Sequence, residues 1–114
     1  MNQQEVFDIV SVGLLKQNAK SKSAIAKCAY RGDNGMKCGI GFLIADEHYS
    51  ESLENQPVTN DGVKDALYAS GVDYSEMSVL LEELQSTHDT FLTENWEYEL
   101  RVLAKDRGLK CSFS

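Results

Sequence analysis

The chain has 114 residues, of which 42% are hydrophobic and 25% are charged, and these proportions are ordinary for a single globular domain covering residues 1–114. Its net charge of −7 argues against binding duplex nucleic acid, because phosphate contacts need a cationic surface. No apolar run reaches the ~20 residues of a membrane-spanning helix, and the first residues, MNQQEVFDIV, do not form a secretory signal. We therefore expect a cytoplasmic protein without a membrane partner and without disulfides.

The charge is unevenly distributed along the chain. Residues 1–37 have a net charge of +3, and residues 38–114 have a net charge of −10. The first part could attract an anion that the second part repels. Alternatively, the acidic residues of the second part are the solvated faces of helices.

The first predicted element is a helix from about Gln3 to Gln17. Asn2 followed three positions later by Glu5 is typical of a helix start. Apolar residues then recur at helical spacing, namely Val6, Phe7, Val10 and Leu14. The polar run that follows, up to Ser23, indicates an exposed basic loop.

The stretch from Lys27 to Tyr49 predicts a β-hairpin that turns at the residues Gly-Asp-Asn-Gly, 32–35. If residues 33–35 form a three-residue loop with a left-handed Gly35, one face of the hairpin is apolar and turns its thiols inward. The expected pairs on that face are Tyr30 with Cys38, Cys28 with Ile40, and Ala26 with Phe42. The other face would carry Arg31, pointing outward, and Lys37 near the turn. Its middle, at Gly39 and Gly41, would have no side chains, so that a ligand or another backbone could approach it closely.

Residues 46–51 predict a turn or a short helix, and three longer helices follow. One runs from a cap at Thr59 or Asn60 to Ser70, with Gly71 as its stop. The next opens at Asp73 and carries an apolar stripe that His88 extends. The last runs from near Thr93 to Gly108. The predicted class is α+β, with about four helices packed on a two-stranded antiparallel β-hairpin.

The segments CAYRGDNGMKCGIGFLIADEHY (28–49) and LLEELQSTHDTF (80–91), together with Trp96, resemble a family of small uncharacterised proteins of phages and prophages. The resemblance covers nearly the whole chain and implies a phage context, hence the host cytoplasm, but no established activity. Two positions depart from the family pattern. Phe42 stands where relatives often have Cys, which puts shared cysteine chemistry in doubt, and Ala45 stands where they have Pro.

The cysteines and histidines do not have the spacing of a metal site. Cys28 and Cys38 are ten residues apart across the predicted hairpin, and Cys111 lies in the C-terminal tail. We therefore expect buried free thiols, no metal and no cofactor. His88 followed by Asp89 could form a general base with an orienting carboxylate. A half-buried histidine bonded to a neighbour explains the same pair, and no phosphate loop, nucleophile elbow or HExxH motif indicates an enzyme.

Arg31 is the side chain best suited to binding a carboxylate or phosphate with two parallel hydrogen bonds. The alternative is an ion pair with Asp46 or Glu47. Aromatic residues such as Tyr49 could supply either an interface or the rim of the core. The candidate binding residues are Arg31, Lys37, Gly39, Gly41, Asp46, Glu47, Tyr49, His88 and Asp89.

Three hypotheses for the function follow. The first is a phage-type accessory protein that binds a host protein, for example to inhibit it, since acidic charge can mimic nucleic acid toward a basic partner. The second is a binder, or sponge, of a small anionic metabolite or nucleotide on the Arg31 face. The third is a thiol- or metal-dependent enzyme. The glycine face could also pair with a second copy of the chain to form a homodimer.

Overall fold

The structure, a computed structural model, describes residues 1–23 and 29–113. These residues form four α-helices with short 3₁₀ turns between them. The helices are α1 (Gln3–Gln17), α2 (Asp61–Ala69), α3 (Tyr74–Thr90) and α4 (Trp96–Arg107). Helix α1 packs against both α3 and α4, and α2 packs against α3. None of the described helices is long and apolar enough to cross a membrane.

The helix positions agree with the predictions because local side chains determine the helix ends. Asn2 and Glu5 form the reciprocal capping box at the start of α1. The side chains of Asn60 and Asp73 accept backbone hydrogen bonds at the starts of α2 and α3. Gly108, with φ of +67°, ends α4 in the left-handed conformation that glycine adopts at little cost.

A single hydrophobic cluster joins residues from all four helices. Its largest fully buried side chains include Phe7, Leu14, Leu67, Leu84 and Trp96. Each such side chain contributes about 1.5–3 kcal/mol when it is removed from water. The cluster also includes Tyr30, Cys38 and Ile40, so the segment between α1 and α2 is fixed to the helical core and positions the residues discussed below.

The predicted β-hairpin, and with it the α+β class, is wrong for the described residues, which contain no β-strand. The predicted turn does form at Asp33–Gly35, and Gly35 is left-handed with φ of +76°. After one cross-turn hydrogen bond, from the Gly32 N–H to the Met36 carbonyl, no ladder follows. The second predicted strand instead bends into a 3₁₀ turn at Ile40–Phe42. Ala26, Lys27 and Cys28 of the first strand lie outside the described residues.

The physical reason is that side chains, and not a neighbouring strand, satisfy several backbone groups of this segment. Glu54 accepts hydrogen bonds from the backbone N–H groups of Tyr30 and Arg31, at 2.9 and 3.0 Å. The Arg31 guanidinium in turn donates to the carbonyls of Gly41 and Ile44, at 2.8 and 2.7 Å. Every buried backbone polar group needs a partner, and here the partner is a side chain instead of a neighbouring strand.

Two glutamines on flanking helices continue this pattern. Gln17 at the end of α1 bonds both the N–H and the carbonyl of Lys37, at 2.9 and 2.8 Å. Gln85 on α3 accepts from the N–H of Ile40 at 3.1 Å. Hydrogen bonds from both helices therefore hold the irregular segment 29–44 in place.

Residues 38–41 are buried whichever predicted face they belong to, so the predicted division into an apolar face and an open face is also wrong. Cys38 and Ile40 are buried, as predicted, but so are Gly39 and Gly41 on the other side. A Cβ atom at Gly41 would lie 2.4 Å from the carbonyl oxygen of Tyr30. The backbone that approaches these glycines is therefore that of the same chain.

Candidate functional site

Arg31 lies at the centre of a polar cluster rather than on an open surface. Its Nη1 donates to the carbonyls of Tyr30 and Gly41, at 3.2 and 2.8 Å. Its Nη2 donates to the carbonyl of Ile44 and to Asp46, at 2.7 and 2.9 Å. The Arg31 side chain is 19% exposed, whereas that of Asp46 is 88% exposed. The ion pair with Asp46, which the sequence suggested as one alternative, is thereby confirmed.

These bonds leave Arg31 little capacity to bind an anion. A guanidinium has five N–H donors, and four of those of Arg31 already have acceptors within the chain. Tyr49 packs against the guanidinium, with 5.0 Å between the central carbon and the ring centroid. A bidentate grip on a carboxylate or phosphate would require breaking the bonds that hold Gly41 and Ile44 in place. Glu47, next to Asp46, is exposed.

Glu54 is the central residue that the sequence did not reveal. It is buried, and besides the N–H groups of Tyr30 and Arg31 it accepts the Tyr49 hydroxyl at 2.6 Å. Burial, followed by this hydrogen bond, raises the pKa of Tyr49 to about 12. In the sequence Glu54 is one acidic residue in a polar loop, so no local signal distinguishes it from exposed neighbours such as Glu51.

Lys37 and Gly39 have structural positions next to this cluster. The backbone of Lys37 is fixed by Gln17, as described above. Gly39 lies against α3, where an added Cβ would come within 3.0 Å of the Leu84 carbonyl oxygen. The close approach that Gly39 allows is thus used for packing on α3.

His88 and Asp89 form a second polar cluster, at the end of α3. His88 is fully buried, and its Nε2 accepts the backbone N–H of Ser21 at 2.9 Å. The other ring nitrogen, Nδ1, must then carry the proton, which it donates to Asp89 at 2.8 Å. The imidazole also lies beside Trp96, with 5.5 Å between ring centroids. Both nitrogens are occupied, so the ring is arranged as a structural link and not as a free base.

The thiol chemistry considered above has little support in the described residues. Cys38 is fully buried, and burial raises its pKa to about 12, which favours the unreactive thiol form. No group of three or more His, Cys, Asp or Glu residues that could hold a metal occurs in 1–23 and 29–113. Cys28, the other cysteine of the predicted hairpin, lies outside those ranges. Cys111 is partly buried in the C-terminal tail.

A different surface, between α3 and α4, carries exposed apolar and acidic side chains together. The two helices run antiparallel, since Arg107 at the end of α4 meets Glu83 in the middle of α3, and Trp96 meets His88. Between them lies an open groove of about 200 Å³. We call it the α3–α4 groove, and its principal lining residues are Glu83, Phe91, Glu99, Val102, Leu103 and Asp106.

The electrostatic character of this region is strongly acidic. Residues 73–107 contain nine acidic and three basic residues, a net charge of −6 within a chain whose net charge is −7. Glu83 pairs with Arg107, but neither Glu99 nor Asp106 makes an ion pair among the described residues. From the sequence, the acidic residues of these helices were interpreted as solvated faces. The sequence did not indicate that apolar side chains line a groove between two of the helices.

Two apolar side chains of the groove are partly exposed, and two more exposed apolar residues are near them in sequence. Phe91 and Val102 in the groove are 37% and 38% exposed, and Leu92 and Tyr98 nearby in the chain are 61% and 69% exposed. Scattered exposed apolar residues are normal, whereas several in one region rimmed by charge are typical of interaction sites. This is the surface of the described chain best suited to a partner.

Comparisons with protein-family models, with curated proteins and with solved structures found no match for this chain. The resemblance to phage proteins therefore remains a prediction from the sequence. A function for the chain has to be inferred from the geometry and charge of the surfaces described above.

Proposed function

We propose that the chain is a small accessory protein, of the phage type that its sequence resembles, and that it acts by binding a host protein through the surface of α3 and α4. The observation that carries this proposal is the coincidence of acidic charge and exposed apolar side chains in the α3–α4 groove. A surface of this kind attracts a basic partner over a distance and then contacts it through apolar area. Inhibition follows where the host protein needs its basic surface for another ligand.

The geometry of the Arg31 cluster does not favour the alternative of an anion-binding sponge. Four guanidinium donors of Arg31 are engaged with acceptors of the same chain. Gly39 and Gly41 face the carbonyl oxygens of Leu84 and Tyr30 and leave no open surface between them. The acidic surface of α3 and α4 would repel a metabolite anion.

The test is capture of host proteins from a bacterial lysate on the immobilised full chain, at low and at high salt. A double charge reversal, Glu99→Lys with Asp106→Lys, serves as the variant. The matched control reverses two exposed acids elsewhere, Glu47→Lys with Asp65→Lys, and has the same net charge. We expect a host protein that the wild type and the control retain at low salt and that the variant loses.

A captured protein is then purified and mixed with the chain to measure direct binding. The proposal fails if no host protein is retained at either salt concentration. It also fails if every retained protein binds the wild type, the variant and the control equally, because the α3–α4 surface would then have no part in binding.

A further inference from the structure

The sequence of α4 gives the α3–α4 groove a defined pattern. Glu99, Val102, Leu103 and Asp106 all line the groove and stand at positions i, i+3, i+4 and i+7. Residues at this spacing share one face of a helix. An apolar centre is therefore flanked by one carboxylate on each side, about 10 Å apart along the axis at 1.5 Å per residue.

The apolar centre is accessible but shallow. Val102 is 38% exposed, and Phe91 at the α3 end of the groove is 37% exposed, while Leu103 forms the buried floor. The groove volume of about 200 Å³ is below the roughly 300–1,000 Å³ of typical small-molecule sites. It suits the insertion of a large apolar side chain from another protein better than the enclosure of a metabolite.

The two flanking carboxylates are available to a partner. Neither Glu99 nor Asp106 makes an ion pair in the described chain, whereas Glu83 already has Arg107. A cation placed beside each carboxylate at the rim of an apolar contact is partly shielded from water, which strengthens its attraction. The sign of the charge excludes a nucleic acid as the occupant.

We infer that the α3–α4 groove is a docking site for a basic amphipathic helix of a partner protein, an inference that rests on the proposed function and specifies its partner. The groove between two antiparallel helices accepts the ridge of a third helix. The complementary helix carries Lys or Arg at positions i and i+7 and large apolar residues at i+3 and i+4. Its basic side chains meet Glu99 and Asp106, and its apolar residues contact Val102 and Phe91.

The test uses a synthetic probe rather than an unidentified ligand. The probe is an alanine-rich peptide of about 20 residues, long enough to be helical in water, with Lys at i and i+7 and Leu at i+3 and i+4. A second peptide has the same composition in scrambled order, and a third has Glu in place of Lys. Fluorescence anisotropy of the labelled peptide measures the dissociation constant, and NMR shifts of the full chain locate the site.

We expect the patterned peptide to bind and to shift the resonances of Val102 and its neighbours. Glu99→Lys with Asp106→Lys should weaken binding at least about tenfold, or about 1.4 kcal/mol. Val102→Ser should weaken it by a smaller factor, and the control Glu47→Lys with Asp65→Lys should stay within about twofold. Circular dichroism verifies folding, and Glu99→Gln with Asp106→Asn replaces the charge reversal if that variant is unfolded.

Three outcomes overturn the inference. The first is that the patterned peptide does not bind the wild type. The second is that binding depends on net charge alone. This would be shown if the scrambled peptide bound as well as the patterned one, or if Glu47→Lys with Asp65→Lys weakened binding as much as Glu99→Lys with Asp106→Lys. The third is that sedimentation shows a dimer that only the groove variant loses, because the occupant would then be a second copy of the chain. A host protein captured through α3 and α4 without peptide binding leaves the proposed function standing and rejects this inference.

Discussion

Replacement of Glu54 tests whether side chains hold the segment that the sequence predicted to be a hairpin. Its carboxylate accepts hydrogen bonds from the N–H groups of Tyr30 and Arg31 and from the Tyr49 hydroxyl, and it is buried. Hydrogen bonds to a charged group contribute about 1.5–3 kcal/mol each, and a buried N–H left without a partner costs about 1–3 kcal/mol. Because such contributions are not additive, we expect Glu54→Ala to lower the free energy of unfolding by about 3–5 kcal/mol.

Glu54→Gln provides a graded version of the same perturbation. The amide oxygen can take the place of Oε2 and keep the bonds from the Arg31 N–H and the Tyr49 hydroxyl. The amide nitrogen then replaces Oε1 and faces the Tyr30 N–H, so that two donors oppose each other. Losing one of the three bonds should cost about 1–3 kcal/mol.

The assay is urea unfolding followed by circular dichroism, with the free energy obtained by linear extrapolation. Glu51→Ala is the matched control, since Glu51 is an exposed glutamate three residues away, and such surface changes usually stay within about 0.5 kcal/mol. A loss for Glu54→Ala that does not exceed that of Glu51→Ala would refute the explanation. A Glu54→Gln variant that is as unstable as Glu54→Ala would also refute it, because the two hydrogen bonds that glutamine can keep would then contribute no stability of their own.

Three other changes test the neighbouring contacts. His88→Phe keeps a ring beside Trp96 but leaves the Ser21 N–H without an acceptor, so urea unfolding should show a loss of about 1–3 kcal/mol. Gly41→Ala places a Cβ 2.4 Å from the Tyr30 carbonyl oxygen, and the forced shift should cost about 1–3 kcal/mol in the same assay. The third change concerns pH, because the fold raises the pKa of Tyr49 from 10.0 to about 12. The fold thus favours the neutral phenol. Its contribution to the free energy of unfolding is full below pH 10 and is lost as pH rises through about 12. Tyr49→Phe should therefore reduce the loss of stability over this pH range.

Two of these tests have a control in the chain. Asp89→Asn keeps an oxygen for the imidazole of His88 and should change stability by less than about 1 kcal/mol; an equal loss in both variants would contradict the role given to the Ser21 bond. Gly62→Ala in α2 brings an added Cβ to 3.0 Å from the capping oxygen of Asn60. A side-chain atom can adjust more easily than the Tyr30 carbonyl, so we expect a smaller loss of stability than for Gly41→Ala. A Gly41→Ala variant as stable as the wild type would contradict the close contact at Gly41. A loss of stability at alkaline pH that Tyr49→Phe leaves unchanged would contradict the role given to Tyr49.

The helices could be predicted from the sequence because their determinants are local. The capping box at Asn2, the cap at Asp73 and the stop at Gly108 act within a few residues of the helix ends they define. An ion pair of Arg31 with Asp46 or Glu47 was one predicted alternative, because these acids directly follow the predicted hairpin, and Asp46 makes it. Local signals of this kind do not depend on how the helices pack.

The segment between α1 and α2 could not be predicted because its backbone partners lie far away in sequence. Gln17, Glu54 and Gln85 each bond backbone groups that are at least 20 positions distant. Alternating apolar residues and a Gly-Asp-Asn-Gly turn predict a hairpin only if no side chain takes those groups first. The α3–α4 groove was missed for a similar reason, since Phe91 and Val102 become neighbours only when the two helices fold back on each other.

Trp96 contacts both His88 of the second polar cluster and Phe91 of the α3–α4 groove, so its fluorescence is an intrinsic probe of both. It is the only tryptophan in the chain. Its indole N–H donates to the Phe91 carbonyl at 3.1 Å, and its ring lies beside His88. Tryptophan emission from the unlabelled protein should therefore change when a helix binds at Phe91, and also when the imidazole of His88 is displaced.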